Sequence, residues 1–487
     1  MAAEHANHQL PIIPLVINNK SVSTLKTFPV LNPATGEQIW HCASASKNDA
    51  VAAAEAAQAA FAGWAQIKPT ERRDIFLKAA RIMSDRAEEL AGYMIAETGC
   101  EPSWATGLNV PFTCNVFREV AGRCSSVGGS VVKPIKEGQN AMVLQEPWGV
   151  ILGIAPWNAP YLLGIRAILW PLAAGNTVVF KASESSPRSH WALVDILQEA
   201  GLPAGALNLI FHSPQDAAEI SNTLIQHPAI RKINFTGSTH VGRLLAVEAS
   251  RNLKPILLEL GGKASAIICE DADLNAAAEA CVLGSFANSG QVCMSTEKII
   301  VHESILSNFK VALMSSLRAS YGNDRPTPVL INSTAVQRNV KLISQATENG
   351  ASILHGESPA HQPAPSKTGN SLYPTILSDV NRSMDLYHTE SFGPTVSLIA
   401  AKSDDEAIAI ANDTEYGLNA AIFTADLGRA FRLARRIESG TVHINSATVG
   451  SDVNLPMGGV KASGYGRFGG TWGLEEFLQT KTITWMD

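Results

Sequence analysis

Short apolar runs alternate with longer helical stretches through the middle of the chain. Four of these runs, at 149–156, 176–183, 232–237 and 264–269, are rich in apolar and β-branched residues. Runs of this kind are typical of strands that a parallel sheet buries on both faces. Because the segments between them are long enough for crossover helices, the pattern predicts an α/β fold.

The pattern predicts further elements on both sides of these strands. Segments 47–66 and 71–99 are rich in alanine and have apolar residues at helical spacing, with a proline-containing break between them. After residue 270, a helical stretch at 273–290 precedes an apolar run at 298–303 and then more helix. A second α/β domain is the simplest account of this part.

Three segments lie outside this alternation. Residues 128–149 contain two extended runs around the sequence KEGQN, which predicts a projecting hairpin. Together with the extended tail, 479–487, this hairpin could pair across a subunit boundary by strand addition. The polar, Pro-rich segment 357–370 predicts a loop.

The composition is that of an ordinary globular protein and excludes several classes of partner. Of the 487 residues, 46% are hydrophobic and 17% are charged, and the formal net charge is −6. No cluster of Lys and Arg stands out, so we expect neither nucleic acid nor an anionic membrane as a partner. No apolar stretch approaches the roughly 18 residues that a membrane-spanning helix needs. The N-terminus lacks the basic region of a signal peptide, so we expect a cytoplasmic protein.

The seven cysteines form neither a disulfide pattern nor a metal-binding pattern. Their number is odd, and none lies in a C-x-x-C pair or at finger-like spacing to a histidine. We therefore expect a reducing compartment and no metal site. Cys293, in FANSGQVCMS, is surrounded by small residues, and on its own it is most simply a small core residue.

Two glycine-rich segments differ in their value as nucleotide sites. GYGRFG (464–469) fits the pattern G-x-G-x-x-G, but no strand–helix unit surrounds it, so we interpret it as a turn. FTGSTHVGR (235–243) follows an apolar strand and opens a helix. There Gly237, Ser238 and Gly242 could present backbone N–H groups to a diphosphate, although a plain turn is the simpler account of this segment alone.

Four polar residues follow predicted strands. Lys181 and Glu184 leave a strand end, where α/β sheets bind ligands. A carboxylate there suits a ribose diol and would repel a 2′-phosphate; the alternative is a solvated loop. Glu259, which precedes two glycines, is either a general base or a surface acid. Asn158 could donate to an oxyanion or cap the following helix.

The order and spacing of these motifs carry more information than any one of them. In sequence they are PWN at 156–158, K-x-x-E at 181–184, FTGS-x-x-x-G at 235–242, LELGGK at 258–263, GQ-x-C at 290–293, ESFGP at 390–394 and P-x-GG-x-K-x-SG-x-GR at 456–467. Together they resemble the NAD(P)-dependent aldehyde dehydrogenase superfamily across essentially the whole chain.

The resemblance implies a mechanism centred on Cys293. Its thiolate would attack an aldehyde carbonyl to form a thiohemiacetal, whose oxyanion is held by Asn158 and the backbone N–H of Cys293. After hydride transfer to the nicotinamide, Glu259 would activate the water that hydrolyses the thioester to the carboxylic acid.

The resemblance also implies three structural parts. These are a Rossmann-type NAD-binding domain (1–127 and 149–261), an α/β catalytic domain (262–470) and a small β element for oligomerisation (128–148 and 471–487). A homodimer or homotetramer is therefore expected.

The same resemblance favours NAD over NADP as the cofactor. The resemblance implies that Lys181 and Glu184 bind the adenosine ribose and that Gly237, Ser238 and Gly242 bind the diphosphate. It also implies that Glu390 and Phe392 contact the nicotinamide ribose and that Trp157 lines the cofactor cleft.

The sequence departs from many family members at three positions. A Trp-Lys pair after the PWN asparagine and a Glu after the final GR are replaced here by Arg166, Ala167 and Phe468. In those members the Lys and Glu relay a proton from the general base, so the usual relay is missing. PWNAP, Arg166 and GRFGG are more similar to the salicylaldehyde, benzaldehyde and vanillin dehydrogenases. We therefore expect an aromatic aldehyde as substrate, with Trp104, Arg166 and Phe468 lining its approach.

Other functions remain open at this point. The substrate could be an aliphatic aldehyde or a semialdehyde. A CoA-acylating enzyme would pass the thioester to a thiol, but such enzymes commonly lack a base such as Glu259. A cysteine hydrolase would need a histidine partner, and none lies near Cys293 in the sequence. A non-catalytic scaffold would not require the complete Cys–Glu–Asn set.

Overall fold

The structure is a computed structural model, and it describes residues 10–322, 327–356 and 368–486. Residues 357–367 of the predicted loop and residues 1–9 of the predicted first domain lie outside the described residues. Over the described ranges, no helix is long and apolar enough to cross a membrane.

The strands in chain order are β1 (Ile12–Ile13), β2 (Leu15–Ile17), β3 (Lys20–Val22), β4 (Thr27–Leu31), β5 (Gln38–Ala43), β6 (Ser130–Val132), β7 (Gln139–Pro147), β8 (Val150–Ile154), β9 (Thr177–Lys181), β10 (Leu207–Ile210), β11 (Ile230–Thr236), β12 (Ile256–Glu259), β13 (Ala264–Ile268), β14 (Thr296–His302), β15 (Ser352–His355), β16 (Thr375–Ser378), β17 (Thr395–Ala401), β18 (Asn419–Phe423), β19 (Thr441–Ile444), β20 (Gly464–Tyr465) and β21 (Leu478–Met486). The α-helices are α1 (Lys47–Gln66), α2 (Pro69–Asp85), α3 (Ala87–Thr98), α4 (Val110–Arg123), α5 (Pro160–Ala173), α6 (Pro187–Ala200), α7 (Ala217–Gln226), α8 (Thr239–Arg251), α9 (Leu274–Phe286), α10 (Leu306–Tyr321), α11 (Ser333–Glu348), α12 (Asp385–His388), α13 (Asp404–Asn412), α14 (Leu427–Ala434) and α15 (Gly470–Glu475).

The larger of two main sheets has the strand order β20-β12-β11-β8-β9-β10-β2-β3. Strands β8 to β12 run parallel, which confirms the predicted α/β fold. β8, β9 and β11 contain three of the predicted apolar runs, and nearly all of their residues are buried. The strand order reverses at β8, because β9 and β10 lie on one side of it and β11 and β12 on the other. Ligands of open α/β sheets bind at the carboxyl ends of strands beside such a reversal.

The second main sheet has the order β15-β16-β17-β14-β13-β18-β19 and is parallel except for β15. It contains the fourth predicted run as β13, and the predicted run at 298–303 overlaps β14 except at its last residue. The predicted helix at 273–290 is α9 followed by a 3₁₀ turn. This sheet and its helices form the expected second α/β unit.

The predicted helix at 71–99 is two helices, α2 and α3, with a break at Arg86. The Arg86 side chain forms ion pairs with Glu89 at 2.9 Å and with Asp195 of α6 at 2.8 Å. Neither glycine nor proline marks the break in the sequence, so apolar spacing alone did not predict it.

Strands β6 and β7 form the predicted hairpin, and β21 adds to it as a third strand. The tail pairs within its own chain along its whole length, from Leu478 opposite Pro147 to Met486 opposite Gln139. The role of this β element in oligomerisation stays a prediction.

One segment of the predicted catalytic domain pairs with a strand of the first sheet, and the domain boundaries themselves stay a prediction. Residues 262–470 were expected to form that domain, but Gly464 and Tyr465 pair with β12 at the edge of the first sheet. Gly464 has φ +105°, and a Cβ there would lie 2.2 Å from the carbonyl oxygen of Leu258. Only glycine permits this approach, so GYGRFG begins as a short edge strand rather than as a simple turn.

Candidate active site

The candidate site is a cleft of about 440 Å³ between the two main sheets. Its walls include the turns that follow β8 and β11 in the first sheet, and the turns that precede β14 and β17 in the second. Register explains why these segments meet. Ile154 pairs with both Lys181 and Phe235, and Thr236 pairs with Glu259, so four carboxyl ends share one edge.

Cys293 and Glu259 meet in this cleft. Glu259 is the last residue of β12 and is fully buried, whereas Cys293 lies before β14 and is partly exposed. The Cys293 thiol and the Glu259 carboxyl lie close enough for each to shift the pKa of the other. Gly262 allows the two segments to approach, because a Cβ there would lie 2.4 Å from the carbonyl oxygen of Cys293.

The electrostatics of this pair are set by burial and by one arginine. Burial raises the pKa of Glu259, and the nearby guanidinium of Arg166 opposes this rise. Burial also raises the pKa of the Cys293 thiol; the negative charge of Glu259 raises it further and Arg166 lowers it. No N–H or O–H of the described residues reaches either carboxylate oxygen of Glu259. Such a carboxyl can accept a proton near neutral pH, as a general base must.

Asn158 brings an amide to the same cleft. It lies in the turn between β8 and α5, and the N-cap position of that helix is Ala159, so Asn158 is not the cap. Its Nδ2 donates to the carbonyl oxygen of Gln291 at 2.9 Å. Because an amide has two N–H groups, the second can donate to an oxyanion formed at Cys293.

The main-chain carbonyl oxygen of Asn158 accepts hydrogen bonds from two side chains that the sequence did not connect to it. Trp104 Nε1 donates at 3.2 Å and Asn288 Nδ2 at 3.1 Å. Trp104 is buried in a π-helical turn, and its ring lines neither the main cleft nor the cavity beside Arg166. The structure therefore gives Trp104 a different contact from the predicted one along the aldehyde's approach.

Arg166 and Phe468 line a second, narrow cavity of about 20 Å³. Most of its other walls are apolar, including Phe112, Trp170 and Met457. The Arg166 guanidinium lies over the Phe468 ring, 5.0 Å from its centroid. The two predicted residues are thus brought together, but this cavity shares no lining residue with the main cleft.

Five of the predicted cofactor contacts line the main cleft: Trp157, Gly237, Ser238, Glu390 and Phe392. The rings of Trp157 and Phe392 meet edge to face, with their centroids 6.1 Å apart. The three other predicted contacts lie outside the lining of this cleft.

Those three residues are Lys181, Glu184 and Gly242, and they occupy positions next to the cleft. Gly242 packs in the first turns of α8 against the Leu260 side chain. Lys181 ends β9, and Glu184 lines an adjacent cavity of about 380 Å³. Burial lowers the pKa of Lys181, and the charge of Glu184 opposes this.

The cleft residues fit a dinucleotide. The helix α8 follows β11 at the reversal of the sheet, and its N-cap Ser238 accepts a hydrogen bond from Val241 N. The first-turn N–H groups of an α-helix, here those of Thr239 and His240, have no partner within the helix. Together with the helix dipole, these groups are suited to bind a diphosphate.

The turn at 389–392, which carries Glu390 and Phe392, is held by residues that sequence reasoning missed. Glu297 and Lys263 form a buried ion pair of 2.7 Å beneath it. Lys263 belongs to the LELGGK motif, which was the available signal, whereas no motif pointed to Glu297.

Comparisons with known proteins agree with this arrangement. A sequence model described as the aldehyde dehydrogenase family matches residues 20–483. The chain is 44% identical over 479 residues to vanillin dehydrogenase of Pseudomonas fluorescens, covering 97% of each chain. It is 40% identical over 480 residues to salicylaldehyde dehydrogenase of Pseudomonas putida, covering 96% of this chain and 97% of that one.

A solved structure gives the same result for the fold. The crystal structure of a salicylaldehyde dehydrogenase from Pseudomonas putida G7, complexed with salicylaldehyde, superposes with a TM-score of 0.93. The two chains are 39% identical, and the match covers 98% of this chain and 99% of the other.

Proposed function

The chain belongs to the aldehyde dehydrogenase family and is an oxidoreductase, and we propose that it oxidises an aromatic aldehyde to the carboxylic acid with NAD. The observation that carries the proposal is that Cys293, Glu259 and Asn158 line one cleft of about 440 Å³. The similarity to vanillin and salicylaldehyde dehydrogenases supports the same substrate class.

In this proposal Cys293 is the nucleophile. Glu259 is the nearest group that can take the thiol proton, and Arg166 favours the negative charge that results. The thiolate sulfur bonds to the aldehyde carbon, and the carbonyl oxygen becomes an oxyanion. The free N–H of the Asn158 amide stabilises that oxyanion.

Glu259 acts again in the second half of the reaction. The cofactor, when bound, supplies the hydride acceptor, and Trp157, Ser238, Glu390 and Phe392 are the cleft residues that would hold it. Glu259 first releases the thiol proton to solvent and then takes a proton from water, the hydroxide attacks the acyl carbon, and the bond to the Cys293 sulfur breaks so that the sulfur leaves as thiolate. A raised pKa suits Glu259 to this exchange of protons.

We favour NAD over NADP because of Glu184. This carboxylate and Lys181 leave the carboxyl end of β9, beside the sheet reversal. A carboxylate at that position accepts hydrogen bonds from a ribose diol and repels a 2′-phosphate.

We also propose a homo-oligomer. Val131, Val132 and Ile135 of the β6–β7 hairpin are exposed, as are Ile483 and Trp485 of the tail strand. Clustered apolar side chains on a small β element are typical of an interface between subunits.

The deciding experiment measures NADH formation by the purified protein. Salicylaldehyde, vanillin and benzaldehyde are compared with propanal and succinate semialdehyde, with NAD and with NADP. We expect kcat/KM to be at least tenfold higher for the aromatic aldehydes, about 1.4 kcal/mol of transition-state preference, and to be lost in Cys293→Ala. A preference for propanal or the semialdehyde would overturn the aromatic assignment. Turnover that requires CoA would overturn hydrolysis by Glu259.

A further inference from the structure

The buried ion pair beneath the 389–392 turn is joined to that turn through several hydrogen bonds. Lys263 and Glu297 are 0% and 3% exposed, and Lys263 Nζ lies 2.7 Å from Glu297 Oε2. Lys263 immediately precedes β13, and Glu297 is the second residue of β14, the adjacent parallel strand. The pair therefore sits on the rigid edge of the second sheet, directly behind the cleft.

The second carboxylate oxygen of Glu297 faces the turn. Oε1 accepts hydrogen bonds from Ser391 N at 2.9 Å, Ser391 Oγ at 2.8 Å and Phe392 N at 3.3 Å. On the other side, Lys263 Nζ donates to the Thr389 carbonyl at 2.8 Å. A buried ion pair tolerates desolvation only when further hydrogen bonds satisfy its remaining atoms, and here the turn supplies them.

The backbone of this turn needs such support. Phe392 has φ +46°, in the left-handed region that a phenylalanine rarely adopts. Such a conformation persists only when the surroundings fix it, and it is common where a ligand binds. The carboxylate of Glu390 is oriented by the same edge, because Gly262 N donates to its Oε1 at 2.9 Å.

We propose that Glu297 and Lys263 are a positioning pair, which holds Glu390 and Phe392 in the geometry that binds the nicotinamide end of the cofactor. The inference rests on the proposed function, because it takes these two residues as cofactor contacts. Neither residue of the pair lines the main cleft or the cavity of Arg166 and Phe468. Its loss should therefore weaken cofactor binding and leave aldehyde binding nearly unchanged.

The test uses Glu297→Gln in the full-length protein. The matched control is Glu270→Gln, which removes an exposed carboxylate paired with Arg429 at 2.7 Å in the same domain. Three quantities are measured: the Kd of NADH by fluorescence, the KM of NAD and of the aldehyde, and amide hydrogen exchange of the cofactor-free protein. We expect Glu297→Gln to raise the Kd of NADH and the KM of NAD at least fivefold, with the aldehyde KM within twofold. Exchange at the Ser391 and Phe392 amides should rise at least tenfold, and the control should show none of these changes.

A purely structural role would lower the melting temperature and the active fraction without separating the two KM values. Equal changes in both KM values, or an unchanged Kd of NADH in a folded variant, would overturn the proposal. If Glu297→Gln does not fold, Ser391→Ala decides, because it removes one donor to Oε1 without leaving a buried charge. That variant should raise the Kd of NADH at least twofold, and an unchanged Kd would overturn the proposal.

Failure of the proposed function would give different results from failure of the positioning role of Glu297 and Lys263. If the wild-type protein bound no NADH, the cofactor assignment itself would fail, and with it this inference. If it bound NADH but oxidised no aldehyde, only the proposed reaction would fail. The Kd and hydrogen-exchange comparisons would still decide the role of Glu297.

Discussion

The guanidinium of Arg166 lies over the ring of Phe468, 5.0 Å from its centroid, and its Nη1 contacts Met457 Sδ at 3.4 Å. Buried arginines usually pair with a carboxylate, but among the described residues none lies within ion-pair distance of this one. Its positive charge instead opposes the rise in pKa that burial causes in Glu259 and Cys293. Arg166 and Phe468, which both depart from the family pattern, thus lie against each other. The face of the Phe468 ring takes the place of a carboxylate counter-ion for Arg166.

We expect Arg166→Leu to move the pH dependence of the reaction toward higher pH. Without the positive charge, the pKa of the Cys293 thiol and that of Glu259 both rise further, so less thiolate is present at a given pH. At pH 7, kcat/KM should fall on the order of tenfold, about 1.4 kcal/mol. The pH–rate profile and the pH dependence of Cys293 alkylation by iodoacetamide measure this shift directly.

The matched control for this charge is Arg73→Leu, an exposed arginine paired with Asp74 at 2.9 Å. It should leave both profiles unchanged. An Arg166→Leu profile that superposes on that of the wild type would show that the charge does not act on the thiol. A shift toward lower pH would contradict the sign argued here.

Much of the fold could be predicted from the sequence, because burial on both faces leaves a plain apolar signature. The runs that became β8, β9, β11 and β13 were recognised for this reason. The break at Arg86 was not, since it depends on ion pairs with residues far along the chain. Nor was the pairing of Gly464 with β12, which follows from a close tertiary approach that one glycine permits.

The candidate site could be predicted where its residues lie in contiguous motifs. Cys293, Glu259 and Asn158 each belong to such a motif, and the structure brings all three to one cleft. The hydrogen bond from Trp104 to Asn158 and the support that Glu297 gives to Phe392 depend on how distant segments pack. Spacing in the sequence does not contain that information.

Glu259→Gln should separate the two halves of the reaction. An amide cannot take the proton of the attacking water, so hydrolysis of the thioester should slow at least about 100-fold. The first turnover should still occur but more slowly, because the Cys293 thiol must then lose its proton to solvent, and it should give a burst of close to one NADH per active site in stopped-flow fluorescence. A variant that loses the burst as well would show that Glu259 is needed to form the thioester. One that keeps the full steady-state rate would show that another group is the base.

Asn158→Ala should lower kcat by about 100- to 1,000-fold, which corresponds to about 2.7–4 kcal/mol for the loss of one oxyanion donor. The KM of the aldehyde should stay within threefold, because the donor acts mainly in the transition state. Steady-state kinetics under saturating cofactor give both values. A rise in KM with kcat unchanged would contradict the oxyanion role.

Trp104→Phe tests how Asn158 is held. It removes the indole N–H that donates to the main-chain carbonyl of Asn158 but keeps an aromatic ring in place. We expect kcat to fall about threefold to tenfold, less than for Asn158→Ala, with little change in the aldehyde KM. If instead the KM of aromatic aldehydes rises and kcat is unchanged, the ring lines the aldehyde's approach, as the sequence alone had suggested.

NADH binding should tighten as the pH rises through 7. Burial raises the pKa of Glu390 to about 7, so the carboxylate that would accept hydrogen bonds from the nicotinamide ribose is mostly protonated at pH 6 and mostly ionised at pH 8. If only the ionised form binds well, the Kd of NADH should fall about tenfold over this range.

Glu390→Gln removes the titration, so its Kd for NADH should be larger than that of the wild type at pH 8 and nearly independent of pH. Glu270→Gln, which leaves the cleft intact, should keep the full dependence. Fluorescence titration at pH 6, 7 and 8 makes the comparison, and an equal slope in Glu390→Gln and the wild type would assign the titration to a group other than Glu390.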